Sequence, residues 1–402
     1  MAIYKLLFGD DMGSTIRSFF NSTPSVEKID ETNFRSNGIL TLGAEVELQI
    51  IDPESFKLIS KAEEILNHSL ADEKIKPELY LSTVEINSNK CDNAFEIEKD
   101  LNESFDLITK IANDVGLRLA TTGCHPFSRY SDCLITQTVR YNELIDRNQW
   151  LTRRMTVYGL HVHIGMKSGD DAIRFNNFFL NFIPHLLALS ASSPFWQAED
   201  TGLASCRPTT YESLPTAGSP YQVKNWLEFE NLYASLKKCK AINSLRDLWW
   251  DIRPSPSYGT IEIRVCDGLA TLEETMAIIA FIHLLANWFN DHGSWLEQVP
   301  VRPVWLSREN KWRVIRHGLE ADLITNVDGS TKSIKKDILE WIEKLEIYSD
   351  KLGYQKYIIS LKNIVEKGNG STRQRKVFAQ TNSLEEVVKS NIEEFLAKKP
   401  NW

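Results

Sequence analysis

Four short stretches of this chain alternate apolar and ionisable residues with a period of two, the period of a β-strand. They are Glu45-Val46-Glu47, Val84-Glu85-Ile86, Leu160-His161-Val162-His163-Ile164 and Ile261-Glu262-Ile263-Arg264. Residues two apart in a strand share a face, so each stretch sets charge on one side and aliphatic surface on the other. A sheet built from them rests one face on a core and lines the other with carboxylate, imidazole and guanidinium. Singly, each has an ordinary explanation: E-x-E occurs on solvent-facing edges, strand histidines can be satisfied locally, and Glu262 beside Arg264 can be a cross-strand ion pair. Jointly, they are hard to read as surface decoration.

Two carboxylates roughly 4 to 6 Å apart repel by several kcal/mol at an effective dielectric near 20, so burying Glu45 with Glu47 makes sense only with cations between them. Imidazole can join such a site, although a hard ion such as Mg2+ prefers oxygen. Just before the last strand, Asp251-Ile252-Arg253-Pro254-Ser255-Pro256 holds a second Arg in an extended, proline-stiffened turn suited to clamping phosphate or carboxylate. Arg140, Arg207 and the Arg373-Gln374-Arg375 group could add to that clamp, or form surface salt bridges instead.

Around these stretches the pattern predicts an α+β chain. Strands are expected over 39–50, 80–87, 117–121, 157–166 and 260–266. Helices are expected over 94–115, 172–190 and 272–288, with a mostly helical pattern beyond Pro300. Ser192 to Pro220, rich in Pro, Ser, Gly and Thr, reads as a long functional loop. Residues 1–37 lack a sustained period and read as an N-terminal arm with little chemistry. Residues 38–295 form the expected catalytic core, completed as the same domain by the helical part 296–402.

A formal net charge of −8 provides no field to gather a nucleic-acid backbone, so an anionic nucleotide must be held by local Arg groups and metal. The six cysteines have no C-x-x-C or disulfide-framework spacing, and the apolar run from Met276 to Phe289 falls short of the roughly 20 residues that span a bilayer. A cytoplasmic enzyme without membrane contact is expected. No P-loop, G-x-G-x-x-G or G-x-S-x-G motif is present.

The ordered set Thr41 to Glu47, Ser82 to Glu85, Gly123 to Phe127, Gly159 to Gly165, Arg253 to Pro256 and Thr260 to Arg264 resembles the type 2 glutamate-cysteine ligases, a family of carboxylate-amine ligases, over residues 39–380. The resemblance implies a glutamine synthetase-like fold, a curved antiparallel sheet with helices on its convex side, as in guanidino kinases. It also implies two or three Mg2+ ions, or Mn2+, against the phosphates of ATP. By this resemblance Glu45, His161 and Glu262 share one cation and Glu47 and Glu85 hold another. His163, Arg253 and Arg264, with Arg207, face the nucleotide phosphates. The implied reaction joins glutamate, or a similar carboxylate, to cysteine or another amine through a γ-glutamyl phosphate, in a homo-oligomer. A guanidino kinase-like phosphotransferase and a non-catalytic regulatory homologue are the alternatives. Ala44, where the family more often has a larger aliphatic residue, and the Gly368 to Ser371 segment depart from its pattern without touching a proposed ligand.

Overall fold

In a computed structural model of the chain, residues 30–296 and 303–402 are described. The expected arm therefore lies largely outside the described residues, as do residues 297–302 at the start of the expected helical extension. Residues 30–37 run along the sheet, where Arg35 N–H donates to the Pro256 carbonyl (3.1 Å) and Ser36 Oγ to that of Met166 (2.7 Å).

The main sheet contains β1 (Leu42–Ile51), β2 (Ile75–Pro77), β3 (Thr83–Asn87), β4 (Arg118–Ala120), β5 (Gly159–Gly165), β6 (Ile252–Ser255) and β7 (Thr260–Asp267). Its order is β6-β7-β5-β1-β3-β2, with β4 also on β1, and every pairing is antiparallel. The segment read as a turn around Arg253 is thus an edge strand. Pro254 fits there because a proline cannot serve a central ladder. Pro77 occupies the other edge strand, β2.

Helices of eight or more residues are α1 (Ala94–Asp114), α2 (Val139–Asn148), α3 (Gly169–Phe179), α4 (Ile183–Ser190), α5 (Trp226–Lys238), α6 (Leu272–Leu296), α7 (Val304–His317), α8 (Ile334–Leu352), α9 (Gln355–Lys367), α10 (Gly370–Thr381) and α11 (Leu384–Ala397). Asn93 caps α1 by accepting from the N–H groups of Phe95 and Glu96, and Ile97, Leu101, Phe105, Ile108 and Ile111 form its buried stripe. Gly116, at φ +74°, ends the turn that follows. The single helix expected over 172–190 is two, separated by a 3-10 turn at Leu180–Phe182, because Pro184 has no N–H to continue the first ladder.

The aliphatic sides of the strands, among them Val46, Val84, Val162 and Ile263, share one hydrophobic cluster with α1, α3, α4, α6, α8, α9 and α11. Helix α6 lies within it. Its stretch Leu272–Gly293, longer than the apolar run read from sequence, has the length and mean hydropathy (1.2) to cross a bilayer, but 83% of its most apolar window is buried inside the protein. Core packing accounts for that composition. The opposite side of the sheet is left to the charged residues.

Phe281, fully buried in α6, measures how far the sheet depends on this layer. Phe281→Ala is expected to lower unfolding free energy by about 3–5 kcal/mol, read from the urea midpoint at unchanged slope. A loss under about 1 kcal/mol would contradict the central placement of α6.

Candidate active site

Register determines which charged side chains meet. Glu45 pairs with His161, Glu47 with Glu85, Glu262 with His163, and Arg253 with Glu262. The result is a row of three clusters, each with potential ligand atoms within 4.8 Å of one another: Glu45, His163 and Glu262; Glu45, Glu85 and His161; and Glu47, Glu78 and Glu85. The family resemblance implies one cation shared by Glu45, His161 and Glu262 and another held by Glu47 and Glu85. In the structure His163 stands beside Glu262, its ladder partner, and Glu78 completes the third group.

The histidines are oriented by the carboxylate between them. Glu45 Oε2 lies 3.0 Å from His161 Nδ1, and Glu45 Oε1 lies 3.3 Å from His163 Nε2. Thr260 Oγ1 sits 2.8 Å from His163 Nδ1. His161 Nε2 is buried without a hydrogen-bond partner, with Glu47 Oε1 4.0 Å away. An orphaned imidazole nitrogen among converging carboxylates is the chemistry of a divalent cation site with one nitrogen ligand.

Charge at the β6 end is already balanced. Glu262 Oε2 accepts from Arg253 Nε (3.1 Å) and Nη2 (2.7 Å), while Glu262 Oε1 accepts from Arg264 Nη1. Burial pushes the Glu262 carboxyl up, but the two guanidinium groups outweigh it and hold it far below the usual range. Burial likewise raises Glu45, and hydrogen bonds from His161 and His163 overcome it, leaving that carboxyl low. His161, buried and near Arg264, falls to about 4 and stays neutral at pH 7.

The opposite end is unbalanced. Burial and then the charge of Glu78 push Glu47 up to about 8, and burial followed by Glu78, Glu45 and Glu47 pushes Glu85 well above its ordinary value. Burial raises Glu78 too. Three such carboxyls in contact fit a cation that restores their charge.

Arg264 lies at an irregularity where the β5–β7 register shifts between Ile263 and Cys266. Arg207, from a short helix at Arg207–Tyr211 inside the loop read from sequence, braces it: Nη1 donates to the Val265 carbonyl (3.3 Å) and Nη2 to that of Arg264 (3.2 Å). Gly159 makes room, since a Cβ there would sit 2.4 Å from Arg207 Nη2, and its N–H donates to Glu47. The three clusters, with Arg207, Arg253, Arg264 and Arg140, line a cavity of about 540 Å³, within the usual range for small-molecule pockets. A second cavity, about 270 Å³, opens beside it and shares Glu45, Asn87, His163 and Tyr258; Asn37 of the lead-in segment lines it.

Two features escaped the sequence. Glu78 belongs to Pro77-Glu78-Leu79, past the end of β2, where no alternation marks it; an acidic residue shortly before Glu85 was the only signal. Arg373, a candidate for the clamp, is instead buried in bidentate contact with Glu274 (2.8 Å each) and bonded to Glu394 (2.6 Å), and lines neither cavity. Arg375 pairs with Asp200.

Comparison with known proteins gives a consistent picture. The model of the family described as Glutamate-cysteine ligase family 2 matches residues 41–394. Proteins of Bdellovibrio bacteriovorus and Gloeobacter violaceus, both named "Putative glutamate--cysteine ligase 2", are 42% and 40% identical to this chain, covering 90% and 88% of it and 96% of each relative. The crystal structure of a glutamate-cysteine ligase from Francisella tularensis in complex with AMP superposes with a TM-score of 0.64 over 90% of both chains at 15% identity, a likeness of fold.

Two outcomes test this geometry. Because Glu47, pushed up to about 8, must lose its proton to ligate a cation, and Glu85 and Glu78 are pushed in the same direction, Mg2+ binding at neutral pH should release protons. Apparent affinity should rise with pH through neutrality and level off above about 8, where Glu47 is already ionised. Calorimetry in buffers of different ionisation enthalpy reads the release, and none at pH 7 would sink the assignment. Gly159→Ala, which drives a methyl group into Arg207, should cut turnover by about 10- to 100-fold with the far-ultraviolet dichroism unchanged.

Proposed function

The chain belongs to glutamate-cysteine ligase family 2, and from that premise we propose that its charged sheet face holds Mg2+, with Mn2+ as the substitute ion, against the phosphates of ATP. It is an ATP-dependent carboxylate-amine ligase of the glutamate-cysteine ligase type. The observation carrying the site assignment is the row of three ligand clusters ending at two arginines on one enclosed face. Glu45, His163 and Glu262 are the ligands at one end, Glu45, His161 and Glu85 in the middle, and Glu47, Glu78 and Glu85 at the other. The bound ions supply Lewis-acid charge that offsets negative charge on the phosphates.

The chain's own residues then have separable tasks. Arg264 and Arg253 stabilise charge on the transferred phosphoryl group, aimed by Glu262 and, for Arg264, by the Arg207 brace. His163, held between Thr260 and Glu45, is the nitrogen ligand of the first cluster. The two joined cavities let a nucleotide and an amino acid meet at Glu45. The side-chain carboxylate of glutamate, or a similar acid, attacks the γ-phosphorus, giving the acyl phosphate and ADP. The amine of cysteine or another acceptor then displaces phosphate. No enzyme nucleophile is needed, and the six free cysteines, five of them buried, stay outside the chemistry. Those free thiols suit a reducing cytoplasm. Small molecules are the partners, and a homo-oligomer is the assembly that goes with the resemblance.

Glu45→Gln and Glu262→Gln should each lower phosphate release by about 100- to 1,000-fold, the scale of deleting one preorganised charged group. Full activity in either variant contradicts the site. Phosphate release that depends on adding an amine supports the ligase chemistry. ADP formed without free phosphate across a full panel of amines would point to a phosphotransferase.

A further inference from the structure

Arg264 is held on two sides. Within the site, Arg207 takes the carbonyls of Arg264 and Val265. From outside it, the N–H of Arg264 donates to the carbonyl of Asp251 (2.8 Å) at the start of β6. Asp251 is 1% exposed, and its position is fixed at three points: its N–H donates to the Gly218 carbonyl (2.8 Å), and its carboxylate accepts from Ser219 Oγ (3.1 Å) and from Lys311 Nζ. Lys311 is also buried and lies in α7, none of whose residues lines either lobe of the site. Its second partner, Glu212, faces a separate groove of about 1280 Å³, where solvent can stand in for the contact. Asp251 has no such recourse.

A buried ion pair is a weak source of net stability, since apolar side chains of similar volume often serve as well. Its distinguishing property is direction: an ammonium against one carboxylate oxygen fixes that group where packing alone lets it slide. The next residue across the ladder is Arg264, whose guanidinium meets Glu262 on the site face.

We propose that Lys311 is a positioning residue for the ligase reaction, fixing Asp251 and through it the placement of the Arg264 guanidinium over the transferred phosphoryl group. The inference rests on the assignment of Arg264 to the phosphate, so the experiment separates the two. Phosphate release is measured for Lys311→Met, Lys311→Arg, Ser219→Ala and Arg264→Gln, each below its own melting temperature. Lys311→Met should lower kcat by about tenfold or more, with KM for MgATP within about twofold, because sub-ångström misplacement of a reacting group is costly while ground-state binding is spread over many contacts. Lys311→Arg, keeping a cation on Asp251, should recover part of that loss. Should the Met variant fail to fold, Ser219→Ala, which loosens the same carboxylate, carries the decision with an expected two- to fivefold fall in kcat, roughly the cost of one hydrogen bond. Unchanged kcat in the folded variants, or a rise in KM with kcat intact, overturns the role of Lys311. Full turnover in Arg264→Gln instead overturns the phosphate assignment on which it rests.

Discussion

Everything on the working face follows from the cost of placing five carboxylates together away from water. At an effective dielectric near 20 each neighbouring pair costs about 3 kcal/mol at 5 Å, more than a fold of ordinary stability can absorb several times over. The protein resolves this differently along the row. Around Glu262 and Glu45 it supplies its own positive charge and hydrogen bonds, from Arg253, Arg264, His161 and His163. Around Glu47, Glu78 and Glu85 it supplies too little, so all three carboxyls are pushed above their ordinary values, Glu47 to about 8. One end carries its own positive charge and the other does not. The permanent cations, Arg253 and Arg264, sit at the β6 end, and the uncompensated carboxyls at the β2 end.

The fold serves that face. Aliphatic residues alternating with the charged ones are locked into one hydrophobic cluster with the helices, so a ligand cannot rotate away without pulling its neighbours out of the core. That is how rigid spacing arises from a two-residue period. The brace at Arg264 sits at the register shift, where Arg207 holds the backbone carbonyls of Arg264 and Val265.

Much of this was legible in the sequence because strand period is a local signal. The strands bearing Glu45, Glu85, His161, His163, Glu262 and Arg264, and their shared charged face, could be read from a few residues each. Register could not, since it depends on which strands pair and where, so the grouping of His163 with Glu262 awaited the structure. Glu78 follows a strand of three residues, too short for a period to show. Helix α2 buries Leu144 alone and so offers no apolar stripe. Arg373 lay near a glycine-rich segment that suggested function, but its partner Glu274 is 99 residues away and no local pattern announces such a pair.

The two terminal strands of the order β6-β7-β5-β1-β3-β2 each carry a proline, Pro254 in β6 and Pro77 in β2. A proline offers no N–H to an incoming strand, so each edge resists extension by another chain. At those two edges a chain rich in alternating strands is thereby guarded against edge-to-edge pairing with another copy of itself.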